Sequence, residues 1–272
     1  MNKLIAVLDR LYFLAQPVGL AECLRGECCL ELGLISPEGT VRTMGLTFSR
    51  AADWPSVSTL CQALQDELEL PLPAVSVSAQ AGFQLWFSLL EPLPVAQAAG
   101  FLEALRRQYL TAIPSHHLES FPGSDGVPDT VALVPAYYPA RDKWSAFIDP
   151  SMGSMFVEES GLDMAPNMDR QADLLAGFRS IKADDFARAQ AALLSMAEAR
   201  AACLSAEKDA AESLLADRAV RPQAADRLSL GSGFQDPQSF LLAVMNDPAA
   251  SAAHRIDAAK ALLPYIARMD AA

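Results

Sequence analysis

The sequence predicts an α+β protein: hairpins and helices on a mixed or antiparallel sheet, followed by a long helix and a small helical module. Three observations lead there. Short β-like runs come in pairs separated by turn residues, with helical periodicities between the pairs. Near residue 183 the composition shifts to Ala, Glu and Arg, and Gly and Pro disappear. A linker-like stretch then leads to two short amphipathic segments.

In chain order, Leu4, Leu8, Leu11 and Leu14 recur at helical spacing and predict a first helix. Residues 27–35 and 41–48 read as strands, joined through Ser36-Pro37-Glu38-Gly39 as a hairpin. Residues 55–68 have helical spacing, with Ser56 or Ser58 as the cap. A second hairpin is expected from 74–78 and 83–89. A helix over 94–110 follows, opened by Pro94 in its first turn. The stretch 113–150 is rich in Pro, Gly and Asp, carries one strand at 130–134, and has the character of a functional surface. The domain organisation is therefore an α+β domain at 1–181, a long helix at 182–219, a linker at 220–235 and a helical module at 236–272.

The long helix, 183–217, carries a rough apolar stripe through Phe186, Gln190, Leu193, Ala197, Leu204, Ala211 and Leu215. Such a stripe packs on its own domain or forms a coiled-coil contact making a homo-oligomer. In the C-terminal module Phe240, Leu241, Val244 and Met245 are expected inward on one helix. Ile256, Leu262, Leu263 and Ile266 are expected inward on the next, with Pro264 kinking or breaking it.

A formal charge of −12 disfavours non-specific attraction to DNA, and Arg106-Arg107 is the only adjacent basic pair. Residues 1–15 are apolar but interrupted by Asp9-Arg10, which reads as an amphipathic helix rather than a signal peptide. No apolar run approaches the ~20 residues of a membrane span. Five cysteines, an odd number without CxxC spacing, read as reduced thiols rather than a zinc site. A cytoplasmic location with no cofactor and no bound metal is the expectation.

The segment 75–105, VSVSAQAGFQLWFSLLEPLPVAQAAGFLEAL, together with Phe121-Pro122-Gly123-Ser124-Asp125 and Thr130-Val131-Ala132-Leu133-Val134-Pro135, resembles the archaeo-eukaryotic primase superfamily. The likeness is greatest to the primase-polymerases of mobile elements and conflict systems. Residues 147–156 and 171–181 look like the matching closing elements, so the likeness covers roughly 41–181. The resemblance implies a primase-like palm with an Asp-x-Asp pair on a strand, a His meeting the nucleotide phosphates, and a third carboxylate. Alternate strand residues share a face, which suits two carboxylates to holding divalent ions.

This chain departs at those positions. The first pair is expected at Thr47 and Ser49, whose neutral hydroxyls cannot balance two divalent cations. Gln84 stands where the His is expected, sharing a strand face with Trp86 and Ser88. The third carboxylate falls near Leu118, next to Glu119.

Further candidates are Asp125 and Asp129, in a turn-rich stretch where capping is the ordinary role of Asp. Adjacent His116-His117 is not expected to bind metal. Trp54, Trp86 and Trp144 read as core, with Trp86 the best exception as a base-stacking platform. Residues 236–265 look similar to a segment of phage small-terminase-like proteins.

The resemblances imply a non-catalytic primase-like protein of a mobile element (plasmid or prophage), whose partner is DNA or a replication or transfer protein. An acidic adaptor or inhibitor is the alternative. A nucleotidyl transferase using Glu119, Asp125 and Asp129 as substitute ligands is the third reading.

Overall fold

Leu4, Leu8 and Leu11 are buried along one face of α1 (Asn2–Tyr12). The computed structural model describes residues 1–79, 82–123, 130–220, 234 and 236–266, with the side chains of all of these but 206–220 and 264–266. After α1 come α2 (Leu20–Leu24), β1 (Glu31–Gly33), β2 (Thr40–Phe48), α3 (Trp54–Asp66), β3 (Ala74–Val77) and β4 (Phe83–Pro94). Next are α4 (Val95–Tyr109), β5 (Leu118–Phe121), β6 (Thr130–Ala132), β7 (Tyr137–Tyr138), β8 (Lys143–Trp144) and β9 (Ala146–Ile148). Helices α5 (Met168–Ala176), α6 (Ala183–Val220), α7 (Pro237–Asn246) and α8 (Ala252–Ile266) complete the chain.

The principal sheet has the order β5-β2-β4-β3-β9, with every neighbouring pair antiparallel. Without β9, the segment from β2 to β5 is a βαββαβ unit of ferredoxin-like topology. Strand alternation decides what each face carries. Met44, Leu46 and Phe48 of β2 and Phe83, Leu85 and Phe87 of β4 point into a core completed by α3, α4 and the start of α6. Truncating a buried leucine there, Leu60 or Leu64, costs about 2–5 kcal/mol.

The opposite face carries Thr43, Gly45 and Thr47 of β2 and Gln84, Trp86 and Ser88 of β4. Gly45 has no room for a side chain: a Cβ there would run into the Leu85 carbonyl and the Phe121 ring.

Part of this face is covered by α1 and α5. The last carbonyls of a helix lack partners within it. Here the sheet and its flanks supply them. Thr43 Oγ1 donates to the Tyr12 carbonyl (2.7 Å), Ser88 Oγ to Leu11 (2.6 Å) and Arg42 to Phe13 (3.1 Å). Edge strand β9 is covered in a similar way. The Gln171 amide accepts from Phe147 N (2.8 Å) and donates to Phe147 O (2.9 Å), as a neighbouring strand would.

Several expectations are corrected. Strand β1 pairs with β6 rather than with β2; only the bridge Ile35–Val41 and the turn at Ser36 survive of the first hairpin. Leu32 and Leu34 explain this, because both bury in the second core beneath Val131 and Leu133. Helix α1 stops at Tyr12, short of Leu14. Asp53, not Ser56 or Ser58, precedes α3, and its side chain makes no capping bond. Pro94 ends β4 instead of starting α4. The second hairpin, β3 with β4, forms as expected.

By their internal contacts the residues form two compact units, Met1–Ala202 and Cys203–Ala272. The start of α6 belongs to the first core: Phe186 packs on Phe101 with ring centres 4.7 Å apart, and Ala189 and Leu193 are buried beside it. Ala197 and Leu204 of the expected stripe are exposed, and the side chains of Ala211 and Leu215 lie outside those described, as does the linker at 221–233.

In the second unit α7 and α8 pack together. Val244 and Leu262 are buried as expected, whereas Phe240, Ile256 and Leu263 are exposed and Ala258 takes the inward position. Helix α8 runs through Pro264 to Ile266. Among the described residues no helix is long and apolar enough to cross a membrane.

Candidate functional site

Five residues form a row across the open end of the sheet. Thr47 on β2 stands opposite Glu119 on β5 and Gln84 on β4; Gln84 stands opposite Ser76 on β3, and Ser76 opposite Phe147 on β9. Their side chains share a face because registered cross-strand residues do. Gln84 Nε2 donates to Thr47 Oγ1 (3.4 Å), Ser76 Oγ donates to Gln84 Oε1 (3.4 Å), and Trp86 Nε1 donates to Ser76 Oγ (2.8 Å).

At this end the sheet face opens into a cleft of about 380 Å³. Thr47, Ser49, Ser78, Gln84 and Glu119 form its floor and near wall, and the β1–β6 pair closes it with Glu31 and Thr130. Thr130 Oγ1 donates to Glu31 Oε2 at 3.0 Å. Tyr138 also lines the cleft; burial pushes its hydroxyl up to about 12, so it stays a protonated donor. Among the described residues no lysine, arginine or histidine lines the cleft. His117 is a neighbour, with Nδ1 3.1 Å from Ser49 Oγ.

The cleft therefore brings together Thr47, Ser49, Gln84 and Glu119. It leaves the other candidates elsewhere. Trp86 is almost fully buried among Tyr12, Phe121 and Phe147, with its indole N–H satisfied, so it offers no face for stacking. Ser88 is buried beneath α1, bonded to the Leu11 carbonyl and to Ser180 Oγ (2.7 Å). Arg106 and Arg107 lie in the last turn of α4, on the other side of the sheet, and both pair with Glu103 (3.5 and 2.8 Å). Asp125 and Asp129 lie outside the described residues.

Trp54 packs on Phe83 in the first core, and Trp144 on Tyr137. The rings of His116 and His117 lie 4.1 Å apart, because both sit in the tight turn Ser115–His117.

Chemically, the floor offers hydroxyls and an amide, groups that give and accept hydrogen bonds without net charge. The two carboxylates, Glu31 and Glu119, are the only ionised groups lining the cleft among the described residues. Among the described residues no three Asp, Glu, His or Cys side chains come together to hold a metal ion. Sequence reasoning missed Glu31, Thr130 and Tyr138, and weighed His117 only as a metal ligand. The three missed residues arrive through the long-range β1–β6 pairing and β7, for which no local pattern exists.

No protein-family model matches this sequence, and no curated protein matches it either.

Proposed function

We propose that this chain is a non-catalytic, primase-like module of a mobile genetic element, acting by binding nucleic acid or a replication or transfer complex. The observation that carries the reading is the shared cleft of Thr47, Ser49 and Gln84. These positions correspond to the expected metal and phosphate ligands, yet they carry neutral side chains. Fold and chemistry are separable, and a palm-type scaffold retains a binding cleft after its ligands are replaced. Phosphoryl transfer needs its charge neutralised by metal ions or cations. The cleft supplies two carboxylates and, among the described residues, no cation.

The test is nucleotide incorporation on primed and unprimed templates with magnesium or manganese. No incorporation above background is expected. Incorporation that disappears in Glu119→Gln would overturn the proposal in favour of a transferase with substitute ligands.

A second reading, an acidic protein-binding adaptor, is favoured by one observation: Glu31 and Glu119 face a single cleft that, among the described residues, no cation lines. That cleft suits a lysine or arginine side chain of a partner. A basic peptide bound by the native protein and released by Glu31→Gln/Glu119→Gln would support it; a peptide indifferent to both changes would rule it out.

A further inference from the structure

Away from this cleft, at the other end of β2, four cations converge on one pocket of about 540 Å³ in a protein of net charge −12. Arg10 comes from the end of α1, Arg42 from the start of β2, and Arg179 and Lys182 from the connection between α5 and α6.

Two carboxylates also line the pocket, Glu69 and Asp185, but Arg188 engages both, at 3.3 and 3.1 Å. Arg10 and Arg42 spend their hydrogen bonds on backbone carbonyls. Arg10 reaches Phe178 O (3.3 Å) and Leu175 O (3.4 Å); Arg42 reaches Phe13 O (3.1 Å) and Arg10 O (2.7 Å). Carbonyls orient a guanidinium and bear only partial charge, so the four cations lining the pocket still outnumber its two carboxylates.

Arg42 Nε is buried without a hydrogen-bond partner among the described residues. The side chains of Arg179 and Lys182 are exposed, with no hydrogen bond or ion pair to other described residues. The segment presenting them is fixed. Ile181 pairs with Leu89, its N–H donates to Ser88 O (2.7 Å) and its carbonyl accepts from Leu90 N (2.9 Å). The four cations are thus held on three anchored elements, as preorganised anion sites require.

We propose that this pocket binds a small phosphate-type anion, the phosphate or diphosphate group of a low-molecular-weight ligand. Arg179 and Lys182 have donors free for charge-assisted hydrogen bonds to phosphate oxygens, and Arg10 and Arg42, held by backbone carbonyls, add positive field. The volume lies within the range of small-ligand sites. Compactness follows from the electrostatics. Screening over roughly 10 Å confines a small anion to the local positive field, whereas a long polyanion also meets the acidic remainder of the surface. Next to the pocket lies a largely apolar hollow, sharing Pro71 and Arg179 and lined by Leu72, Leu174 and Phe178 with one carboxylate, Asp149, and with room for the body of such a ligand. This inference does not rest on the primase-like reading.

The test is calorimetric titration of the full chain with inorganic pyrophosphate at fixed ionic strength, repeated on Arg179→Ser/Lys182→Ser. Neither side chain supports another described residue, so the double variant should keep the thermal unfolding profile of the parent. Saturable binding is expected, weakened about tenfold or more in the double variant. Three results would overturn the proposal. They are no saturable binding by the folded parent, equal binding by the folded double variant, or displacement of pyrophosphate by a single-stranded oligonucleotide of higher affinity, which would make the occupant a nucleic-acid strand.

Discussion

Gln84 on β4 donates a hydrogen bond to Thr47 on β2 across the antiparallel pair, 3.4 Å from nitrogen to oxygen. On either side of that link stand Ser76 and Glu119, one strand further out. This row of neutral groups ending in one carboxylate is the geometry on which the binding account rests, and it can be perturbed one residue at a time.

Thr47→Asp/Ser49→Asp tests whether these positions are arranged as metal ligands. Beside Glu119 the double variant would present three carboxylates at one end of the sheet. Manganese binding measured by calorimetry is expected for the variant and not for the parent. The new carboxylate at position 47 would stand directly opposite Glu119, and such opposed like charges should cost about 0.2–1 kcal/mol when no metal is bound. A variant that folds and binds no manganese would show that the cleft lacks ligand geometry.

Trp86→Ala should destabilise the first unit by about 3–5 kcal/mol, the range for deleting a buried aromatic ring. Ser76→Ala should cost about 1–3 kcal/mol, because it strands the buried indole N–H. Urea unfolding measures both. Values near zero would return Trp86 to the surface and to the role of a stacking platform.

Thiol reactivity should divide the cysteines. Burial pushes Cys23 up to about 11 and Cys61 up to about 12, whereas Cys28, Cys29 and Cys203 are exposed. Only the thiolate reacts, so at about pH 8 the three exposed residues should be alkylated quickly and the two buried ones at the rate of unfolding. Mass spectrometry of timed samples reads the pattern.

Asp236 caps α7, its carboxylate accepting from Ser239 N at 2.8 Å. That backbone bond lowers its pKa below the usual aspartate value. The contribution to folding is therefore complete above the unfolded-state pKa of about 3.9 and is lost as pH falls through the folded-state value. Carboxyl chemical shifts followed through an acid titration should place Asp236 below an unstructured aspartate, and Ser239→Pro, which removes the donor, should raise it.

Much of the fold is legible in the sequence because its signals are local. The alternation in Phe83-Gln84-Leu85-Trp86-Phe87-Ser88 assigns each residue of β4 to its observed face, and the β3–β4 hairpin follows from two runs a few residues apart. Alternation likewise puts Thr47 and Ser49 on one face, whereas Gln84 beside them is what the primase resemblance implies. What stays hidden is non-local. Glu31 meets Thr130 only because β1 leaves β2 for a strand far along the chain. Arg10, Arg42 and Arg179 converge from three elements with no shared pattern. Trp86 shows the opposite limit: alternation gives its face correctly, but period-two spacing cannot say that α1 and α5 cover that half of the face.

The most direct test of the binding account is fluorescence anisotropy with labelled single-stranded and duplex DNA across a salt series. Binding is expected that weakens linearly in log–log form as salt rises, through release of counterions from contacted phosphates. Absence of binding to either DNA even at low salt would contradict the nucleic-acid form of the proposal and leave a protein complex as the partner.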